Sequence, residues 1–424
     1  MKAIIPLLAG ALFAISATAQ TQEANSINIM GLKILQSLVP PGSSTNITVS
    51  PYSIADMLHI IRLGTQGTTR TELDTVLGNS EQFNTTRTVL DKARPVKQSF
   101  ISSIFSNKKE SPFTLISARK LFVDNHFKIN NAYTNQFEEE VIARQPFSEN
   151  QEQARISINQ WGAKSTNNLI KEIIPPTMDL SQSRIIAANA LYFLGKWEVP
   201  FKKFATTKQD FLAPQGKTTV DMMSDKRIMP YKVIPGIGTS ISLSYKWLQE
   251  PGSPEPVFIA VLPESKKTIG DFLGALSPRQ LEQCIPDQKE LVLLGLPKFK
   301  TDGDSLSINP GLQKAGPHEL FIEGKANLSL ISPTLLHLVN VLQKCFVSVD
   351  EEKTEAAAVT AGIIDECIPV SEPPFKTLTF DRPFLWFIYD KTTGSILFMG
   401  VQNNPGENDA SRDSESLPPY IQNK

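Results

Sequence analysis

The part of this chain that most limits how it can fold is a run whose composition does not suit its place. Val341 to Val349 (Val-Leu-Gln-Lys-Cys-Phe-Val-Ser-Val) reads as a buried strand of β-branched and apolar residues. Further on, Phe384 to Tyr389 and Ser395 to Gly400 are apolar runs joined by Asp390, Lys391, Thr392, Thr393 and Gly394, the pattern of a hairpin. Between these firm elements lie about thirty residues with no core pattern, more than a compact domain leaves without a function. They begin with Glu351, Glu352, Lys353, Thr354, Glu355, Ala356, Ala357, Ala358, Val359, Thr360, Ala361 and Gly362. In extended backbone one face would carry Thr354, Ala356, Ala358, Thr360 and Gly362, all small enough to slide between two strands. Alanine favours helix over strand, so local propensity points to a short helix or loop until strand partners are supplied from elsewhere. That conflict marks a segment with two states.

On length alone, 424 residues admit one large domain or two smaller ones. The apolar content of 41% and charged content of 20% suit a soluble globular protein, and a net charge of -1 argues against nucleic acid or an anionic membrane as partner. Lys92, Arg94, Lys97, Lys108 and Lys109 read as solvated surface and not as a polyanion site. Residues 1–19 have the form of a secretory signal: Lys2, an apolar run from Ala3 to Ile15, and small residues Ala17, Thr18 and Ala19 before a mature start at Gln20. No later segment approaches the apolar length of a membrane span. Three cysteines, Cys284, Cys345 and Cys367, leave at least one without an internal partner, so the fold rests on its core and not on a disulfide framework. Glycosylation sequons stand at Asn84 and Asn327, whereas the one at Asn46 runs into a segment that reads as buried. Residues 406–424 have the composition of a disordered polar tail.

The first half reads as mainly helical. Ile29, Leu32, Ile34, Leu35 and Leu38 fall near helical spacing, and Ser53 to Leu63 follows Pro51 as a capped apolar helix. Thr69 and Glu72 form a capping-box pattern before Leu73 and Leu77, with Gly78 as the stop. A further helix is expected to carry Ala154, Ile158, Trp161 and Leu169 on one face and to end at Pro175 and Pro176. From Arg184 onward strands dominate, with Ile185 to Phe193, Val257 to Leu262 and Leu291 to Leu296 among them. Helices first and strands later, without βαβ alternation, argue for an α+β fold. Neither a repeat nor a clear linker separates Thr21 from Pro405, so one large domain over residues 20–405 is expected.

No catalytic motif emerges. His59, His126, His318 and His337 lack metal-ligand spacing and each reads as an ordinary surface or boundary residue. There is no Cys-x-x-Cys, no Gly-x-Ser-x-Gly elbow and no phosphate-binding glycine loop. Neither a cofactor nor a metal is expected, and an enzyme is the weaker class of reading.

Several separate motifs, in order across nearly all of the mature chain, resemble the serpin family. Asn46, Ser50, Pro51, Ser53 and Ile54 resemble the entry to its second helix, and Asn159, Trp161 and Thr166 the helix lying across its main sheet. Asn189, Ala190, Tyr192, Phe193, Gly195, Trp197 and Phe201 match its most recognisable strand and turn. Leu296, Pro297, Lys298 and Phe299, then Leu312, Gly316 and Phe321, follow; Asp381, Arg382, Pro383, Phe384, Phe398, Met399, Gly400, Asn404 and Pro405 close the pattern.

The resemblance implies helices packed around a large central β-sheet plus two smaller sheets, with an exposed reactive loop at about residues 351–378. Lys353, Thr354, Glu355, Ala356, Ala357, Ala358, Val359 and Thr360 would be its hinge, and Ser50, Ser53, Asn189 and Gln343 a polar cluster beneath the point where the sheet opens. Gln343 stands where many serpins have His, and Lys353 where Gly is usual. Family spacing from Thr354 places the scissile bond between Cys367 and Ile368. No Lys or Arg lies between Lys353 and Lys376, so a trypsin-like pocket has nothing basic to hold. An apolar Cys367 suggests elastase-like or chymotrypsin-like targets, with papain-like cysteine proteases as the second choice. In another register Ile364 or Ile368 would point to the same class and Glu366 to an acid-selective protease. The reading implied is a secreted, monomeric inhibitor that a target serine protease cleaves and is trapped by in a covalent complex. The alternative is a non-inhibitory carrier, storage protein or chaperone.

Overall fold

A computed structural model describes residues 26–78, 80–91, 112–137, 141–264, 268–301, 305–351 and 374–408. Its strands, in chain order, are β1 (Ile47–Val49), β2 (Phe113–Asp124), β3 (Ile142–Gln145), β4 (Ile185–Gly195), β5 (Thr207–Ala213), β6 (Gly216–Ile234), β7 (Gly238–Ser244), β8 (Pro256–Pro263), β9 (Lys289–Pro297), β10 (Phe299–Thr301), β11 (Leu306–Ser307), β12 (Asn340–Val349), β13 (Lys376–Thr379), β14 (Phe384–Asp390) and β15 (Ser395–Gln402). One sheet has the order β10-β12-β4-β2-β3, with β11 also paired to β12. The other runs β1-β15-β14-β8-β7-β6-β9-β13, with β5 on β6. The two smaller sheets expected from the resemblance are continuous here, because the 19-residue β6 pairs in turn with β5, β9 and β7.

The six-stranded sheet separates two cores. Odd-numbered residues of β2, β4 and β12, such as Leu115, Leu191 and Val347, face a large core shared with the second sheet. Even-numbered ones, including Ile186, Ala188, Leu342 and Phe346, face the Gln151–Ser165 helix through its Ala154 and Ile158, with Trp161 packed against them. Both faces of β4 are therefore buried, which is why its sequence is a nearly unbroken apolar run.

Beneath this sheet lies the Pro51–Leu63 helix, capped by Ser50, whose hydroxyl accepts the Ser53 N–H. The helix starts directly after β1, which pairs with β15 in the register Ile47↔Val401 and Val49↔Met399. Gly400 makes the close approach possible, since a Cβ there would sit 2.4 Å from the Ile47 carbonyl oxygen. The helix is thus fixed to the nine-stranded sheet at its root.

Three local expectations are corrected. The Gly67–Leu77 helix begins two residues before Thr69 with Gln66 at its cap, so Thr69 and Glu72 form no capping box. Thr69 Oγ1 instead accepts the Asn327 N–H, and the Glu72 carboxylate accepts the N–H groups of His318 and Glu319, tying this helix to a distant turn. The helix that begins at Gln151 stops at Ser165, well before Pro175, because Asn167 and Asn168 adopt φ of 53° and 64°. Leu169 packs on the same core from beyond the helix end. His59 is no surface residue: it is buried and stacked on Phe83 at 3.9 Å.

Burial, together with the positive charges of Arg62 and Arg70, pushes the His59 imidazole down from 6.5 to about 3. The unfolded chain binds this proton from 6.5 downward while the folded chain does not until about 3, so stability falls as pH drops through that interval. His59→Phe is expected to flatten urea-denaturation stability between these pH values, by at most about 1.4 kcal/mol per pH unit.

Candidate functional site

The six-stranded sheet is held at its centre by a parallel pair, β12 on β4, with Gln343 opposite Asn189 and Val347 opposite Phe193. This parallel contact is a seam between strands far apart in sequence, since parallel neighbours need a long crossover. A chain leaving the end of β12 at Val349 and doubling back would run antiparallel to both β12 and β4, the arrangement with the better-aligned hydrogen bonds.

Ser50, Ser53, Asn189 and Gln343 meet beneath this seam, and all four are buried. The Ser50 N–H donates to Gln343 Oε1 at 2.8 Å while Gln343 Nε2 donates to the Ser50 carbonyl at 3.3 Å. Asn189 Nδ2 reaches the Ser53 carbonyl at 3.3 Å. Gln343, standing where the family often has His, satisfies both a donor and an acceptor of the Ser50 backbone. Sequence reasoning missed Ser117, whose hydroxyl donates to Ser53 Oγ at 3.3 Å, and Arg119, which lies opposite Asn189 on β2 and meets Asp56 of the helix below. The available signal was a polar pair inside otherwise apolar periodic runs.

At the upper end of the seam the chain is pinned just before the segment with two expected states. Trp197 Nε1 donates to the Asp350 carbonyl at 2.7 Å, and the Phe201 N–H to the Glu351 carbonyl at 3.1 Å. Trp197 is itself held by stacking on Tyr245 at 4.4 Å. The Glu351 carboxylate accepts the Thr206 hydroxyl at 2.7 Å and pairs with Lys298 at 3.0 Å. Burial alone would raise this carboxyl; bonds from Thr206, its own backbone N–H and Lys298 outweigh it and hold the group below the usual 4.5.

The hinge residues Lys353, Thr354, Glu355, Ala356, Ala357, Ala358, Val359 and Thr360 and the bond between Cys367 and Ile368 lie outside the described residues. Of the sequons, Asn84 is exposed and Asn327 half-buried, while the Asn46 side chain is consumed by the backbone of Asn403 and Asn404. Cys284 and Cys345 are buried free thiols, and burial pushes the Cys284 thiol up to about 12 and Cys345 higher still, so neither is a reactive thiolate. Asp124, His126 and Ser148 cluster, but Asp124 and Ser148 both meet the same His126 nitrogen, at 2.8 and 3.1 Å, which is not the relay of a hydrolytic triad. Among the described residues there is no cluster able to hold a metal and no helix long and apolar enough to cross a membrane.

A family model described as Serpin (serine protease inhibitor) matches residues 25–405. The chain belongs to the serpin family, a family of protease inhibitors and not of enzymes. It is 30% identical to human (Homo sapiens) leukocyte elastase inhibitor, over 91% of this chain and 100% of that one. It is 28% identical to glia-derived nexin of Rattus norvegicus, over 88% and 91%. Among solved structures, Arabidopsis AtSerpin1 in its native stressed conformation matches with a TM-score of 0.76 at 23% identity, covering 91% of this chain and 98% of that one. Uncleaved ovalbumin matches at 0.74 and 20% identity, covering 90% and 99%. The shared fold is the serpin fold.

The contribution of Glu351 to holding the chain is present above 4.5 and is lost as pH falls below it, because its folded carboxyl titrates lower than the unfolded one. Glu351→Gln should remove this acid-dependent step in the urea midpoint followed by Trp197 emission. Lys298→Met, which leaves the carboxylate without its charged partner, is expected to cost about 1–3 kcal/mol at neutral pH.

Proposed function

We propose that this serpin is a secreted, single-use inhibitor of serine endopeptidases, acting by loop cleavage, strand insertion and covalent trapping. The observation that carries the reading is the parallel β4–β12 seam, whose second strand runs directly into Asp350 and Glu351 and then into the small-residue segment. The protease serine attacks the carbonyl carbon of Cys367, and the amine of Ile368 leaves with a proton, giving an ester between inhibitor and enzyme. The freed hinge then enters the seam with Thr354, Ala356, Ala358, Thr360 and Gly362 on one face, none bulky enough to obstruct it. About a dozen new strand hydrogen bonds at roughly 0.5–1.5 kcal/mol each match the stability of a whole domain, about 5–15 kcal/mol. The uncut protein is then a kinetic trap, and insertion drags the tethered enzyme off before water hydrolyses the ester.

An apolar target pocket is supported by the absence of Lys or Arg between Lys353 and Lys376 and by the likeness to an elastase inhibitor. The leader at 1–19 and the sequons at Asn84 and Asn327 support export and glycosylation of a domain spanning 20–405, working as a monomer and followed by a polar tail.

Incubation with elastase, chymotrypsin and a cathepsin should give an SDS-resistant complex with at least one of the serine proteases. Thr354→Arg should convert the inhibitor into a substrate of the same enzyme, lowering complex yield at least about tenfold while leaving cleavage intact. Turnover by all three enzymes without a complex would overturn the reading.

A further inference from the structure

We propose that the buried Asp56–Arg119 ion pair is the latch that holds the central sheet shut, because it ties the half of the sheet that moves to a helix that does not. The inference rests on the reading that the seam opens, and it concerns what sets the rate.

The helix Pro51–Leu63 is rooted in the nine-stranded sheet through β1 and β15. Strand β12 belongs to the same body: Gln343 exchanges two hydrogen bonds with Ser50, and its neighbour β10 continues from β9 across Lys298. The other half is β3, β2 and β4 with the Gln151–Ser165 helix on its outer face, and β2 and β4 are joined in register over their length, from Phe113↔Gly195 to Val123↔Ile185. Opening therefore separates β4 from β12 and carries β2, β3 and β4 across the helix by one strand spacing, about 4.8 Å.

Among the described residues, polar side-chain contacts tie that half to the helix from Asn189, Ser117 and Arg119. Two are neutral and long, Asn189 to the Ser53 carbonyl and Ser117 to the Ser53 hydroxyl, each 3.3 Å. The third joins Arg119 to Asp56 at 2.9 Å, with side-chain exposures of only 4% and 1%. Arg87, at 4.0 Å from the other Asp56 oxygen, is on a separate helix and is not part of the sheet. A displacement of one strand spacing breaks the Arg119 contact while both charges are still surrounded by core, and separating a buried pair costs far more than losing a neutral hydrogen bond. The pair thus contributes most of the resistance to sliding. Replacing both partners by apolar residues removes that resistance without leaving an orphaned charge.

Native-state hydrogen exchange tests this in the full-length protein, comparing seam amides of residues 186–193 and 341–347 with those of the β14–β15 hairpin. The double variant Asp56→Leu with Arg119→Met is expected to speed seam exchange about tenfold or more relative to the hairpin, and Asp56→Asn alone about threefold. Lys208→Met, which cuts an exposed ion pair to Asp221 in the nine-stranded sheet, should leave that ratio near the wild-type value. If the double variant does not fold, Asp56→Asn alone decides the matter. An unchanged ratio in the Asp56 variants, or equal acceleration of seam and hairpin, would overturn the latch. Should the ratios behave as expected while the wild-type protein is turned over by every protease without a stable complex, the inhibitor reading falls and the latch stands.

Discussion

The parallel contact of β12 with β4 is the constraint on which the structure turns. Parallel strands adjacent in one sheet need a crossover, and here the crossover from β4 to β12 passes through β5 to β9 of the second sheet before it returns. The pair is consequently not a local hairpin but a contact between two halves of the chain, with side-chain ties beneath it from only a handful of residues. Its register sets Asn189 opposite Gln343 and, one strand further, Arg119 opposite Asn189, so a row of polar side chains crosses the sheet at one level above the Pro51–Leu63 helix. In the proposed mechanism, opening of the sheet would act on that row and on the pinned end at Glu351.

The two ends of the system are built from different physics. At the polar row the groups are buried and tied to the helix below by hydrogen bonds from Gln343, Asn189 and Ser117 and by the Arg119–Asp56 ion pair. At the pinned end an aromatic stack positions the Trp197 indole, and the Glu351 carboxylate joins Thr206 and Lys298 near solvent. The first arrangement ties β2, β4 and β12 to the helix below, and the second ties the chain leaving β12 to Trp197, Thr206 and Lys298. Under the proposed insertion mechanism both would be needed, since either alone would leave one step without resistance.

Much of this architecture was legible in the sequence because it follows from burial. The apolar runs of β4, β12, β14 and β15 announce themselves, and the helix expected from Ser53 after Pro51 is present, starting at Pro51 itself with Ser50 as its cap. β2 was not recognised, because its inward face carries Ser117 and Arg119 where a simple pattern would have only apolar residues. β6 escaped for the opposite reason: most of its residues are exposed or half-buried, and Asp225, Lys226 and Arg227 interrupt any apolar alternation. The capping box at Thr69 and Glu72 failed because both side chains serve the distant turn at His318, Glu319 and Asn327, which no local pattern can reveal. The cluster of Ser50, Ser53, Asn189 and Gln343 came from the family resemblance and not from chemistry. Asp56 and Arg119, which the resemblance did not include, become visible only when the register brings them together.

A sheet held short of its most stable state differs from an ordinary one in its response to a cut. Cleavage of the chain between Lys353 and Ile368, followed by thermal unfolding of intact and cut protein under the same conditions, measures that difference directly. If the seam accepts the freed segment, the cut protein should melt about ten degrees or more above the intact one. A cut protein that melts at the same temperature or lower would contradict a sheet built to take another strand.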